Sequence, residues 1–216
     1  MAKEIILISN PRVLQIPIQE NNDSLVDIRG YPQFTVDTRK SNSSDSYFKL
    51  RESIIDMLLE ANKFLPDGIK FLIIEGYRPL SLQTRYFNNY LNKLKQTHPD
   101  WDDKKLYEEA GKYVAPPDII PPHTTGGAVD LTLIDSTGKE LGMGTEINES
   151  PEESLNKVYT DSPDISETAK TNRQILINAM TKAGFVNYPY EWWHWSYGDR
   201  YWAYITNQQF ALFGSI

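Results

Sequence analysis

The 216-residue chain has no cysteine. That absence excludes a disulfide framework, a thiolate metal site and a cysteine nucleophile, so any metal must be held by histidine and carboxylate. Histidine is scarce as well, at three residues. Positive charge is in deficit: 22 Lys and Arg face 29 Asp and Glu, for a net charge of −7. An acidic surface has no favourable exchange to offer a phosphate backbone, so no nucleic-acid partner is expected. Long apolar runs are missing too. The N-terminal stretch MAKEIILISNPRVLQIPIQEN is interrupted by Asn10, Pro11 and Arg12 and lacks the apolar core of a secretion signal. No segment approaches the length of a membrane span. The expectation is a cytoplasmic chain without a membrane partner. There is no internal repeat or low-complexity tract, and the length suits one domain over residues 1–216. Aromatic residues, at 12%, supply bulk for a core and for a pocket wall.

Phe48, Leu50, Ile54, Ile55, Leu58, Leu59, Ala61 and Leu65 recur at helical spacing until Pro66-Asp67-Gly68, which predicts an amphipathic helix. The dense run Ile69, Phe71, Leu72, Ile73 and Ile74 predicts a buried strand ending near Glu75-Gly76, with Tyr77, Arg78 and Pro79 at its mouth. Two helices follow, over 81–97 and 102–114, broken at His98-Pro99-Asp100. Four prolines between Ala115 and Pro122 make a rigid extended loop. Val129, Leu131 and Leu133 alternate with Asp130, Thr132 and Ile134 as a strand, closed by the turn Ser136-Thr137-Gly138-Lys139. The polar stretch 143–164 reads as a long surface loop of the kind that covers active sites. Ile175, Leu176, Ala179 and Met180 mark another helix ended by Gly184, and the aromatic C-terminal part reads as strands separated by Gly198-Asp199. Helices mixed with non-consecutive strands predict an α+β fold, a single domain with a mostly antiparallel central sheet flanked by helices.

Two of the histidines stand in dense, unusual contexts: His123 in PPHTTGGAVD and His194 in EWWHW. Catalytic zinc sites take three His or carboxylate ligands and keep a fourth place for water, a set that His123, Asp130 and His194 can supply. One carboxylate leaves such a metal positively charged and therefore strong as a Lewis acid. Gly126 and Gly127 permit a turn folding His123 back toward the strand that carries Asp130. Glu191, three residues before His194, can stand beside the metal's water only if the chain bends near Trp192-Trp193, because on a straight strand the two positions face opposite ways.

Each residue alone also has a bland reading. A histidine among aromatics is commonly a packed core residue, Asp130 can bond a turn, and Glu191 can sit on the surface. Arg78 after a buried strand can pair with a structural carboxylate. The Trp and Tyr cluster from Tyr188 to Tyr204 fits a core better than a sugar platform. The combination is what discriminates.

Taken together, SLVDIRGY at Ser24, EGYRPLSLQ at Glu75, HTTGGAVDLTLIDSTGKELGMGT at His123, NRQILINAMTKAGF at Asn172 and EWWHW at Glu191 resemble the vancomycin-resistance type D-alanyl-D-alanine dipeptidases. These are a branch of the zinc D,D-peptidases that shares its fold with hedgehog signalling domains. The resemblance implies an α+β fold, zinc as cofactor on His123, Asp130 and His194, Glu191 as general acid/base, Arg78 as the residue that stabilises the oxyanion, and a small peptide as substrate. Two positions depart from the family pattern. Pro121 replaces a serine two residues before the first histidine, and Gly142 replaces the aspartate of an ELDMGT block. Both missing groups belong, in the family, to recognition of the substrate's free amino end. Glu75, Glu146 and Glu149 are the carboxylates that could substitute.

The implied activity is zinc-dependent hydrolysis of D-alanyl-D-alanine or a closely related short D-amino-acid peptide. Two alternatives stand beside it: a D,D- or L,D-carboxypeptidase acting on longer wall peptides, and a non-catalytic metal-stabilised binding module on the same fold. Retention of Glu191 and Arg78 weighs against the last, since a structural metal site needs neither. The same donors also suit cobalt or iron.

Overall fold

The structure, a computed structural model, describes residues 5–38 and 45–216. The first four residues of the N-terminal stretch discussed above lie outside the described residues. The elements run α1 (Pro11–Leu14), β1 (Leu25–Asp27), β2 (Thr35–Val36), β3 (Lys49–Arg51), α2 (Glu52–Asn62), β4 (Lys70–Glu75), α3 (Leu80–Thr97), α4 (Asp103–Tyr113), β5 (Ala128–Ile134), α5 (Pro151–Ser154), α6 (Glu167–Lys182), β6 (Val186–Asn187), β7 (His194–Ser196) and α7 (Arg200–Ile205). The fold is α+β. Among the described residues no helix is long and apolar enough to cross a membrane.

The five-stranded sheet has the order β2-β4-β5-β7-β6, and a separate pair joins β1 to β3. The pairings β4–β5, β5–β7 and β6–β7 are antiparallel, whereas β2 lies parallel to β4 at the edge. Every residue of β5 is buried, so its alternation does not divide a wet face from a dry one. One face sends Val129, Leu131 and Leu133 into the main core with Ile54, Ile55, Leu58, Leu176 and Met180 of the helices. The other face carries Asp130 toward the site and packs Ile134 with Leu72 and Ile74.

Three expectations are corrected. The helix predicted from Phe48 begins at Glu52, because Phe48 closes a 3₁₀ turn and Lys49–Arg51 pairs with β1. Phe48 and Leu50 fit a period of two as well as one of 3.6, and strand pairing decides between them. The stretch 143–164 is not a free surface loop. Met143, Ser150, Ser154 and Val158 are buried, and Ser150 and Glu153 form a reciprocal cap on α5. Its anchor is Arg173 of α6, 2% exposed, which donates to the carbonyls of Met143, Lys157 and Tyr159 at 2.7–2.8 Å. Burial lowers the Arg173 pKa to about 10. Finally, the chain after Gly198-Asp199 is helix, not strand: Asp199 accepts from Trp202 N at 2.7 Å and caps α7. The aromatic run Arg200–Ile205 has strand-like composition, but the cap determines its local structure.

Candidate active site

Three neighbouring strands place three polar side chains in one row. Across β4–β5 Glu75 stands opposite Asp130, after a register shift between Ile73 and Glu75, and across β5–β7 Asp130 stands opposite His194. The shift is an irregularity of the bulge type, which re-aims a side chain at the end of a strand.

His123 enters from the 3₁₀ turn Pro122–Thr125. Thr124 and Thr125 donate back to the carbonyls of Pro121 and Pro122, and Gly126 reverses the chain at φ +73°. A Cβ on Gly126 would lie 2.6 Å from the Leu25 side chain, so glycine is required there for space as well as for conformation. The turn is stitched to the segment after β4: Arg78 N donates to His123 O at 3.0 Å, and His123 Nδ1 donates to Gly76 O at 2.7 Å. Behind it the buried Arg51 donates to Thr125 O at 2.6 Å, pairs with Glu20 and reaches Gly214 O.

Because Nδ1 of His123 gives its proton to Gly76, the neutral ring turns an unprotonated Nε2 into the site. That nitrogen lies 3.2 Å from Asp130 Oδ1 and 3.1 Å from His194 Nδ1, and His194 Nδ1 lies 3.0 Å from the same carboxylate oxygen. All three residues are buried. Burial raises the Asp130 carboxyl pKa, but His123 and His194 more than reverse this and hold it well below the usual carboxylate range. Burial lowers the His194 imidazole pKa, against the pull of Asp130. Two ring nitrogens and a carboxylate oxygen converge where acceptors would repel one another unless a proton or a cation stands between them. The donor set and its convergence therefore fit a divalent ion such as zinc.

Glu191 sits on the same side. The bend demanded by the sequence is present as a turn in which His194 N donates to Glu191 O at 3.2 Å, and it brings Glu191 Oε2 to 4.0 Å from His194 Nδ1. Burial, with Asp130 adding to it, pushes the Glu191 carboxyl well above its ordinary value, while Arg78 opposes the shift. Arg78 is held on two sides, by Glu75 at 2.5 Å and by Gln83 Oε1 at 2.8 Å, and Gln83 is itself fixed on Ala115 O at 2.7 Å. His123, Asp130, His194, Glu191 and Arg78 all line one cavity of about 320 Å³.

Sequence reasoning missed part of this lining. Tyr86, Tyr90 and Tyr113 of the helices, Tyr188 just after β6 and Asn148 join the wall, and isolated tyrosines in helices carry no sequence signal of such a role. Asn148 does come from the stretch expected to cover the site. Of the proposed substitute carboxylates, Glu75 lines the cavity but is committed to Arg78. Glu146 and Glu149 instead line a neighbouring cavity of about 370 Å³, together with Gly142.

Several proteins of similar sequence are D-alanyl-D-alanine dipeptidases. A D-alanyl-D-alanine dipeptidase of Synechocystis sp. is 29% identical over 91% of this chain and 90% of its own. The Escherichia coli D-alanyl-D-alanine dipeptidase is 30% identical over 68% of this chain and 64% of its own. That of Enterococcus faecium is 29% identical over 76% of this chain and 78% of its own. Residues 40–216, which carry every site residue named above, match the D-ala-D-ala dipeptidase family of peptidases, and the chain belongs to that family.

Proposed function

We propose that the protein hydrolyses the peptide bond of D-alanyl-D-alanine, or of a closely related short D-amino-acid peptide, with one zinc ion on His123, Asp130 and His194. The observation that carries this reading is the convergence of those three ligand atoms in the cavity that also holds Glu191 and Arg78. When bound, zinc supplies a Lewis acid for the carbonyl oxygen and makes water acidic enough to lose a proton near neutral pH. Glu191 takes that proton and delivers it to the departing amine. Its carboxylate lies beside His194 in the same cavity, within reach of both the water and the departing amine. Arg78 donates to the carbonyl oxygen as negative charge develops there. Glu75 and Gln83 fix the guanidinium beforehand, so no reorganisation is needed during the reaction.

A metal-stabilised binding module would require neither a buried carboxylate beside the ligands nor a clamped arginine. The experiment is turnover of D-Ala-D-Ala and L-Ala-L-Ala by the purified chain, before and after chelation, with metal content measured on the same sample. Metal-dependent cleavage of the D,D-dipeptide alone is expected. A protein that binds zinc and cleaves neither is a binding module.

One observation favours a looser variant of this reading. The carboxylates lining the cavity are Glu75, Asp130 and Glu191, and each already has a partner or a role. Pro121 and Gly142 offer no side-chain acceptor, so a substrate ammonium finds no dedicated counter-charge. We infer that the amino end of the substrate stays near water and that longer peptides ending in D-Ala are admitted. Residues 1–216 act as one peptidase domain in either case.

A further inference from the structure

Among the described residues only four buried side-chain polar atoms lack a hydrogen-bond partner, and three of them fall between residues 194 and 199: His194 Nε2, Ser196 Oγ and Asp199 Oδ2. Orphaned buried polar groups are rare and costly, so three within six residues call for a common explanation. Their chemistry is complementary. A neutral imidazole with a free Nδ1 carries its proton on Nε2, a hydroxyl can accept and donate, and a carboxylate only accepts.

The fold puts the three on one side. His194 and Ser196 are two apart on β7 and share a face of the sheet. Gly198, at φ +74°, turns the chain so that Asp199 follows at once as the cap of α7. Asp199 uses Oδ1 for Trp202 N, which leaves Oδ2 for another donor. All three residues are at most 5% exposed. Burial raises the Asp199 carboxyl pKa, with the Trp202 amide and the nearby Ser196 side chain opposing the shift.

We propose that Asp199 is a positioning residue that acts through Ser196 on Nε2 of His194, holding this imidazole in the tautomer that turns its Nδ1 lone pair toward Asp130 and His123. The order is His194 Nε2–H to Ser196 Oγ, and Ser196 O–H to Asp199 Oδ2, closed directly or across one internal water. It gives His194 what Gly76 O gives His123: an acceptor for the outward nitrogen that fixes which nitrogen faces the ion. A carboxylate at the end of the chain also makes the ring a better donor to a cation than a carbonyl would.

This inference rests on the zinc reading above. The test is zinc affinity by competition with a chelator, together with the His194 tautomer in the metal-free protein by ¹⁵N–¹H correlation spectroscopy. The variants are Asp199→Asn and Ser196→Ala. Asparagine still caps a helix, so α7 survives, and Ser196→Ala leaves the cap untouched should the first variant fold poorly. Both variants are expected to bind zinc about 10- to 100-fold more weakly, and Ser196→Ala is expected to mix the two tautomers of His194. A purely structural role would lower the thermal midpoint and leave affinity and tautomer as they were, and that result overturns the proposal. An unmodified protein that takes up no zinc overturns the metal reading itself.

Discussion

Arg78 donates through Nε to Glu75 at 2.5 Å while its Nη1 donates to Gln83 at 2.8 Å. The guanidinium is therefore immobilised by one residue at the end of a strand and one in the first turns of α3, over the Tyr86 ring and in the wall of the cavity. Burial opposes the charge of Arg78, but Glu75, with Asp130 and Tyr86 adding to it, more than offsets burial.

This geometry makes Arg78→Lys a sharp variant. A lysine preserves the charge but cannot hold Glu75 and Gln83 with a planar fork and still meet the carbonyl oxygen. The expected outcome is a fall in kcat of about 10²-fold or more, comparable to loss of an oxyanion donor, with a small change in KM. Steady-state kinetics on D-Ala-D-Ala checks it. An effect confined to KM would make Arg78 a contact to the ground state.

Glu191→Gln replaces a carboxylate by an amide of nearly the same shape. Metal content should stay at one ion per chain, and turnover should drop by about 10²- to 10⁴-fold, the usual contribution of a general base. Metal analysis and kinetics on one preparation separate the two effects. A loss below tenfold moves the proton-transfer role to another residue.

Acid should strip the metal before it unfolds the chain. Ligands must be deprotonated to bind, and Asp130 is held ionised by the two imidazoles, so His194 is the group whose protonation competes with the cation. For His194 the folded value is depressed, by burial first. In the metal-free protein its contribution to stability is complete above the ordinary imidazole value of about 6.5 and is lost as pH falls through the lower folded value. Zinc retention measured from pH 8 to pH 5 should decline through the imidazole range. His123→Ala and His194→Ala should each abolish tight binding at every pH in that range.

Substrate length is decided by the amino end. Leaving a buried ammonium without its partner costs about 3 to 5 kcal/mol, so a closed site lacking a counter-charge would reject the free dipeptide. An open one treats the free and acylated forms alike. The expected ratio of kcat/KM for D-Ala-D-Ala over N-acetyl-D-Ala-D-Ala is below about 10³, equivalent to roughly 4 kcal/mol. A larger preference requires a carboxylate that moves into the cavity, and Glu146→Ala and Glu149→Ala would identify it.

The strands and helices that frame the site were legible because their patterns are local. β5 spans Ala128–Ile134 and α3 ends at Thr97, where the periodicity and the His98-Pro99 break place them. The bend between Glu191 and His194 was legible as a steric requirement before it was seen as a turn. What escaped depends on partners distant in sequence. Leu50 joins a strand because Val26 lies opposite it. The stretch 143–164 is anchored because Arg173 reaches its carbonyls from α6. Asp199 is a cap whose effect on Arg200–Ile205 outweighs their composition. The neighbouring cavity that takes Gly142 and Glu149 away from His123, Asp130 and His194 is likewise a product of packing, which no spacing rule reports.

Arg51 binds Thr125 beside the histidine turn, Glu20 near the start of the chain and Gly214 near its end, the last across 163 positions. Such contacts close large loops and form late in folding. The turn that aims His123 is therefore completed only when segments from both ends of the chain have met around one guanidinium. Until they meet, His123 has no fixed direction, so pairing of β5 with β7 alone sets Asp130 opposite His194 without completing the three-donor cluster.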